Sequence, residues 1–420
     1  MGKTTVSIRK GQFLLNGAPT YSEIPGARSE SLGLLWNQRM IQGVFDDASG
    51  RDQYNQLTMA RFDPEKNTDA LIAALPEWYA YGLRAITVGF QGGWPVTMFE
   101  NPVDMERIDN NPFGTDGKTL DAAYVARMDR LIRGADEVGM AVIVNIFYWA
   151  QAKRFRDGKA LVDALHTACD FIRAGGYTNV MIDLANEYCI RLFEAHPLVN
   201  SEEGMAHLIE LAKTWSGVPV GASAADATVH PQVIAASDYV LIHGNALTRG
   251  EFYRYAVKIR ELAGDKPVVC NEDSPCLTRV DAAMEAGVSW GYYNNYTKQL
   301  PPCPWGVTKG EDQFFARRMA RAVGIPVAPL PEEEQVYLQG LEPWNSFGNG
   351  LRVLRVAAEY PERIACVRFF LNGRLMDTTY DEPFFLYTEC TWLGKAVRVA
   401  AEDKWTAEVT MTDGSRRMLG

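Results

Sequence analysis

Residues 141–188 read AVIVNIFYWAQAKRFRDGKALVDALHTACDFIRAGGYTNVMIDLANEY. The stretch opens on an apolar, β-branched run, Ala141-Val142-Ile143-Val144, passes through an amphipathic helical segment at 157–174, and returns to a second run, Val180-Met181-Ile182. Neither run alternates apolar with polar residues, as a strand with one wet face would. Continuous apolar runs suit strands covered on both faces. A strand, a helix and a second strand of this kind form the unit of a parallel sheet. The alternation extends outward over residues 69–323, with helical patterns at 69–81, 119–138, 203–215, 251–263 and 311–323. Further apolar runs lie at Ala85–Val88, Val218–Val220, Tyr239–Ile242 and Pro267–Val269. Taking a strand near Pro19–Glu23 as the first and Val288–Tyr292 as the last gives eight strand–helix units. That count predicts an α/β fold, a (β/α)8 TIM barrel. An open doubly wound sheet would call for a glycine-rich first turn or a phosphate loop, and the sequence has neither.

The ends of the chain read differently. Val6-Ser7-Ile8 and Gln12–Leu15, followed by Asn16-Gly17, predict a hairpin ahead of the barrel. The segment 326–335 is proline-rich and acidic, which predicts a linker, with Glu332-Glu333-Glu334 as its solvated face. Beyond it come short strands separated by turn residues, among them Arg352–Val356, Ala365–Leu371 before Asn372-Gly373, and Ala396–Ala400. The expected division is therefore a barrel with its hairpin over 1–325, a linker over 326–335, and a small all-β sandwich over 336–420.

Composition bounds the function. The 420 residues include 42 Lys and Arg against 52 Asp and Glu, a formal charge of −10, and basic residues pair only locally, as in Arg317-Arg318 and Arg416-Arg417. Such a chain repels phosphate backbones, so no nucleic-acid partner is expected. No run reaches the eighteen or so apolar residues of a membrane helix, so no membrane partner is expected either. The opening MGKTTVSIRKGQF lacks an apolar leader; the protein is expected to be secreted or periplasmic if a leader has been removed and cytoplasmic otherwise. Seven scattered cysteines, with no CxxC or HExxH motif, predict neither a disulfide framework nor a structural zinc site. Oligomeric state is not legible.

In a barrel, reactive groups sit at the C-terminal ends of the strands. The polar residues following each apolar run are therefore the candidates. They include Gln91 and Trp94 after the second strand, Tyr148 and Trp149 after the third, Asn186 and Glu187 after the fourth, His243 and Asn245 after the sixth, Glu272 and Asp273 after the seventh, and Trp290 and Tyr292 at the eighth. Glu187 and Glu272 stand out, each beyond a buried strand and each preceded by asparagine. Cleavage of a glycosidic bond with retention needs two carboxyl groups about 5–5.5 Å apart, one to attack the anomeric carbon and one to exchange a proton with the leaving oxygen. Strands four and seven can supply that pair, and rim aromatics can cover the apolar face of a sugar ring.

At these residues the chain resembles the clan A glycoside hydrolases, in which an Asn-Glu pair ends strand four, a Glu ends strand seven and a Trp often ends strand eight. The resemblance covers roughly residues 5–323 and rests on Asn186-Glu187, Glu272 and Trp290, with FLLNGAPTY similar to the entry hairpin of such barrels. The tail FFLNGRLMDTTYDEPFF resembles the immunoglobulin-like modules attached to carbohydrate-active enzymes. The resemblance implies a retaining glycosidase acting on a β-linked oligo- or polysaccharide without cofactor or metal, with Glu187 as acid/base and Glu272 as nucleophile. Asn186, His243, Asn245, Trp290, Tyr148, Gln91, Arg39 and Trp94 are the expected substrate contacts. Many clan members carry an arginine near the end of strand two, where this chain has Val88-Gly89-Phe90-Gln91. Arg39, in the long segment after the first strand, is the candidate to stand in for it.

Plainer readings stand beside these. Glutamates at strand ends are commonly salt-bridged, His243 suits a hydrogen-bonded core position, and Trp290 and Tyr148 suit a plug in the barrel top. His166 and His207 sit on helical stretches as ordinary packing or surface residues, and Asp46-Asp47 reads as a solvated loop. Two other functions remain open: a catalytically silent carbohydrate-binding barrel, and a metal-dependent hydrolase, for which His243 is the one imidazole available at a strand end.

Overall fold

The computed structural model describes residues 2–56, 61–94, 107–225, 227–343 and 350–420. Eight parallel strands close into a ring: β1 (Asn37–Arg39), β2 (Ala85–Gly89), β3 (Ala141–Tyr148), β4 (Val180–Asn186), β5 (Val220–Gly221 and Ser223–Ala224), β6 (Val240–His243), β7 (Val268–Glu272) and β8 (Ser289–Tyr292). The fifth strand is broken at Ala222, its first half pairing with β4 and its second with β6. Closure comes from β8 pairing with β1, Gly291 opposite Asn37. Each strand is followed by a helix: α1 (Pro64–Ala80), α2 (Ala122–Val138), α3 (Gly158–Gly175), α4 (Glu202–Ser216), α5 (Pro231–Ala236), α6 (Arg249–Ala263), α7 (Arg279–Ala286) and α8 (Glu311–Val323). The fold is a (β/α)8 barrel followed by small antiparallel sheets.

Local chemistry sets these elements. Asp121, Asp157 and Ser201 accept the first free amides of α2, α3 and α4, and Gly139, Gly176 and Gly217 end the same helices in the left-handed conformation. The α6 start carries a full capping box, Thr248 with Glu251. Apolar helix faces and the strands' outer faces form one large core.

The first strand is not where the sequence placed it. Ala18–Pro19 is the third strand of an antiparallel plug with Val6–Arg9 and Gln12–Leu15, and the barrel starts at Asn37. The plug closes the barrel floor, where Val6 and Phe13 pack with Ala85, Ala141, Met181 and Leu241. The true β1 is Asn37-Gln38-Arg39, wholly buried yet wholly polar, so an apolar-run criterion passes over it.

After α8, Val336–Gln339 pairs with Arg355–Ala358, and four strands follow in the order Arg374–Thr379, Ile364–Leu371, Trp405–Met411, Arg416–Leu419. These enclose their own core of Leu338, Val356, Val367, Phe369, Phe384, Trp405 and Val409. The basic pair Arg317-Arg318 faces this part: Arg317 Nε lies 2.7 Å from Glu359 Oε1 and Arg318 Nη1 2.9 Å from Glu362 Oε2. Glu332 ion-pairs with Arg417. Glu311 faces Arg355 at 3.1 Å, and the Glu382 carboxylate accepts from Thr278 Oγ1 at 2.6 Å.

Burial pushes Glu311 up to about 8, against the pull of Arg355, and Glu382 up to about 7, against the hydrogen bonds from Thr278. A carboxyl whose folded pKa exceeds its unfolded value contributes stability at low pH and loses it as pH rises through the folded value. Glu382 therefore weakens the fold between about pH 4.5 and 7. Glu382→Gln is expected to match the wild-type thermal midpoint at pH 5 and to exceed it by about 2 °C or more at pH 8.5, read by calorimetry.

Candidate active site

The barrel interior below its mouth is tied together by Asp183 of β4. Its carboxylate accepts from Ser223 Oγ of β5 at 3.0 Å and from Asn271 Nδ2 of β7 at 3.0 Å, so three strands are locked across the barrel. Burial pushes the Asp183 carboxyl above its ordinary range, partly offset by His243 and Arg39.

Two backbone departures lift the glutamates to the mouth. Asn271 faces inward to Asp183, so in a regular strand Glu272 would face the helices. Instead the β6–β7 register shifts: Ile242 pairs with Cys270 and the next residue, His243, with Glu272. This bulge re-aims Glu272 inward. Glu187, just past β4, has φ of 56°, a left-handed conformation that a glutamate adopts at a cost. The turn is held by Tyr188, whose amide donates to the Ser223 carbonyl at 3.1 Å.

One carboxylate oxygen of Glu187, one of Glu272 and a ring nitrogen of His243 all lie within 4.8 Å of one another. His243 Nδ1 stands 3.2 Å from Glu187 Oε1 and 3.8 Å from Glu272 Oε2. Burial opposes charging of the ring, but the two carboxylates prevail and hold its pKa above the ordinary histidine value. Burial likewise opposes ionisation of Glu187, but the bond and charge of His243, with Arg39 and Trp149, hold its carboxyl below the usual range. Trp149 Nε1 donates to Glu187 Oε2 at 3.2 Å.

Glu272 is gripped from two further sides. Arg39 Nε lies 2.9 Å from its Oε2, and Asn245 Nδ2 donates to its Oε1 at 2.8 Å. Arg39 also donates to Asn186 Oδ1 at 2.7 Å, so one buried guanidinium links the ends of β1, β4 and β7. Its cation sits over the Tyr293 ring, 5.4 Å from the centroid. Around the pair, Tyr148 stacks on Trp149, whose ring meets Trp94 edge-on, both at 4.8 Å between centroids.

Of the ten candidates, the structure gathers Glu187, Glu272, Asn186, His243, Asn245, Arg39, Tyr148 and, at the rim, Trp94. Gln91 is placed differently. Its amide is used at both ends, donating to Asn111 and accepting from the Tyr148 amide at 2.7 Å, so it braces β3 rather than facing a ligand.

Trp290 is the correction. It is fully buried, its indole donates to Asp273 Oδ2 at 2.7 Å, and its ring packs on Phe315 of α8. Tyr292 also faces outward, stacked on Phe315, whereas a Cβ at Gly291 would meet Asn37 Oδ1 at 2.4 Å inside the barrel. The inward positions of β8 are thus one residue off, and Tyr293 reaches the site instead. Trp290→Phe is expected to leave KM within twofold and to lower stability by about 1–3 kcal/mol, read by urea unfolding, because buried Asp273 loses a donor. Asp273 is otherwise held by Arg279 at 2.6 Å, beneath the loop rather than in the mouth.

Among the described residues, Glu187, His243 and Glu272 are the one cluster with metal-ligand spacing. Glu272 Oε2 already faces Arg39, and Glu187 Oε1 is engaged by His243, so a cation would displace both contacts.

Fold and site together define a class: a (β/α)8 barrel with paired carboxylates from β4 and β7 across its mouth. Comparison with solved structures places the fold alongside a provisionally assigned glycoside hydrolase of Bacteroides vulgatus ATCC 8482, with a TM-score of 0.51 and 11% identity over 98% of this chain and 83% of that one. An endo-β-1,4-mannanase of Thermotoga petrophila scores 0.44 at 11% identity, over 92% of this chain and 96% of that one. A β-glucuronidase of Bacteroides uniformis scores 0.46 at 10% identity, over 99% of this chain, which spans only 47% of that enzyme. No family model and no curated protein sequence matches the chain.

Proposed function

We propose that the protein is a retaining glycoside hydrolase that cleaves a β-linked glycan or glycoside, with Glu272 as nucleophile and Glu187 as acid/base. The observation that carries the reading is the approach of the two carboxylates to within 4.8 Å at the barrel mouth, each from a separate strand end. Double displacement needs about that separation, whereas inversion leaves room for a water between carboxyls about 6.5–9.5 Å apart.

A Glu272 oxygen attacks the anomeric carbon while the glycosidic C–O bond breaks and the departing oxygen takes a proton from Glu187. Water then attacks the same carbon, gives its proton to Glu187, and releases Glu272. His243, 3.2 Å from Glu187 and with its pKa raised by the two carboxylates, is the adjacent proton reserve for that carboxyl. A proton passed from the ring through Glu187 to the leaving oxygen leaves the imidazole neutral, and the proton Glu187 takes from water in the second step returns to the ring. Arg39 fixes Glu272 in line, and Asn186 and Asn245 present amide groups beside the reacting centre. Tyr148, Trp149 and Trp94 form an apolar wall for the sugar ring. No step calls for a metal or organic cofactor. In this reading residues 1–325 are the catalytic part, 326–335 the linker and 336–420 an accessory module.

Screening aryl β-glycosides and a polysaccharide panel with wild type and Glu272→Gln tests the reading. Turnover in the wild type alone supports it; equal ligand binding with no turnover in either would make the barrel a binder. The proton's place gives a further expectation. Because the two carboxylates hold the His243 pKa above the ordinary histidine value, kcat/KM falls on the alkaline side as the ring loses its proton. His243→Asn is expected to lower kcat/KM at least about tenfold and abolish or shift that limb, read from the pH profile.

A further inference from the structure

Among the C-terminal contacts with the barrel's loops is a small hairpin, Thr388–Cys390 paired with Leu393–Gly394; Phe385 and Ala396 also pack there, on Tyr296 and Leu300. The hairpin turn carries Thr391. Thr391 Oγ1 accepts the amide of Ala246 at 3.0 Å. Ala246 has φ of 61°, a left-handed conformation that alanine does not favour, so this bond holds a strained turn. The preceding residue is Asn245, whose side chain donates to Glu272 Oε1 at 2.8 Å. Asn245 Oδ1 is buried without a partner, so nothing else on that amide fixes its direction.

Arg279 holds the same loop from below, donating to the carbonyls of Gly244 at 2.8 Å and of Leu247, so the Thr391 bond acts on the Asn245-Ala246 step between those two anchors. A cavity of about 640 Å³ separates the barrel loops from the C-terminal strands, lined by Leu247, Thr248, Cys276, Glu382, Thr388 and Thr391. Beside it the loop after β6 packs on the core through Leu247, while Ala246 is exposed and its amide is bonded to Thr391. On the same hairpin, the Gly394 amide donates to Tyr296 Oη at 2.9 Å, which anchors the hairpin to the segment after β8.

We propose that Thr391 is a positioning residue for Glu272, acting through the strained Ala246 turn and the Asn245 amide, so that the C-terminal strands complete the catalytic geometry of the barrel. The inference rests on the reading of Glu272 as nucleophile. Displacing Asn245 by a fraction of an ångström lets Glu272 turn out of line with the anomeric carbon, which slows chemistry while leaving the aromatic wall and binding intact.

Thr391→Val keeps shape and removes the acceptor; Thr391→Ser keeps the acceptor. In the full chain, Thr391→Val is expected to lower kcat about tenfold with KM within twofold, and Thr391→Ser to restore kcat to within twofold of wild type. Amide exchange at Ala246 is expected to quicken at least tenfold in Thr391→Val alone. An unchanged kcat in Thr391→Val, or equal losses in both variants, overturns the inference while leaving the glycosidase reading standing. If wild type turns over no glycoside, that reading fails separately, and unchanged Ala246 exchange in Thr391→Val then overturns the positioning role by itself.

Discussion

Glu272→Gln is expected to lower kcat about 10,000-fold or more on every substrate the wild type cleaves, with ligand affinity retained. Removing a nucleophile abolishes the covalent route and leaves only what binding and the remaining groups supply. The glutamine amide is nearly isosteric, so Arg39 and Asn245 still frame the position, but no anionic oxygen is left to attack. Arg39 then lies unpaired beside a neutral amide at a buried site, which costs some stability as well. The loss should be indifferent to the leaving group, since no glycosyl–enzyme forms with good or poor ones. Small anions such as azide, which fit a truncated Glu272→Ala site, should recover part of the rate and give a product of inverted configuration. Steady-state kinetics and product NMR read all three outcomes.

Glu187→Gln is expected to behave differently, and that difference assigns the roles. An acid is needed when the departing oxygen is a poor leaving group and hardly at all when it is an activated phenol. The variant should lose about 1,000-fold or more in kcat/KM on alkyl glycosides or oligosaccharides, and under about tenfold on a dinitrophenyl glycoside. Deglycosylation should become rate-limiting, because nothing activates water, and azide should then yield a glycosyl azide of retained configuration. The free carboxyl of Glu187 is held in its ionised form by His243, Arg39 and Trp149, the reverse of a resting acid. If Glu187 were instead the nucleophile, its variant would lose rate equally on all leaving groups and Glu272→Gln would show the graded pattern.

The legible parts of the molecule are those where burial left an apolar trace. The runs at Ala141–Val144, Val180–Ile182 and Pro267–Val269 are continuous because the barrel strands are covered on both faces, and they led directly to Glu187 and Glu272. The first strand left no such trace. Asn37 and Arg39 make polar contacts inside the barrel and Gln38 is buried between them, so a strand in space reads as a loop in sequence. The same displacement puts Arg39 in a loop when read from sequence, as a candidate for the arginine absent from strand two; in the structure its Nε lies 2.9 Å from Glu272 Oε2.

On β8 the composition misleads. Trp290 and Tyr292 look like sugar platforms, yet strand alternation turns both toward Phe315, and Gly291 occupies the inward slot. The bulge at Glu272 and the left-handed Glu187 are backbone features that no side-chain pattern announces. Asp183 and Asn271 are visible in the sequence as polar residues at strand ends, but their bonding with each other and with Ser223 is not, because the network joins residues far apart in the chain.

Trapping the covalent intermediate tests the central claim most directly. The protein is incubated with dinitrophenyl 2-deoxy-2-fluoro-β-glycosides of the sugar it cleaves fastest, then digested and sequenced by mass spectrometry. The account predicts one added fluoroglycosyl group per chain, carried by Glu272 and absent from Glu272→Gln. A label on Glu187, or steady turnover with an inverted first product and no label, would contradict it.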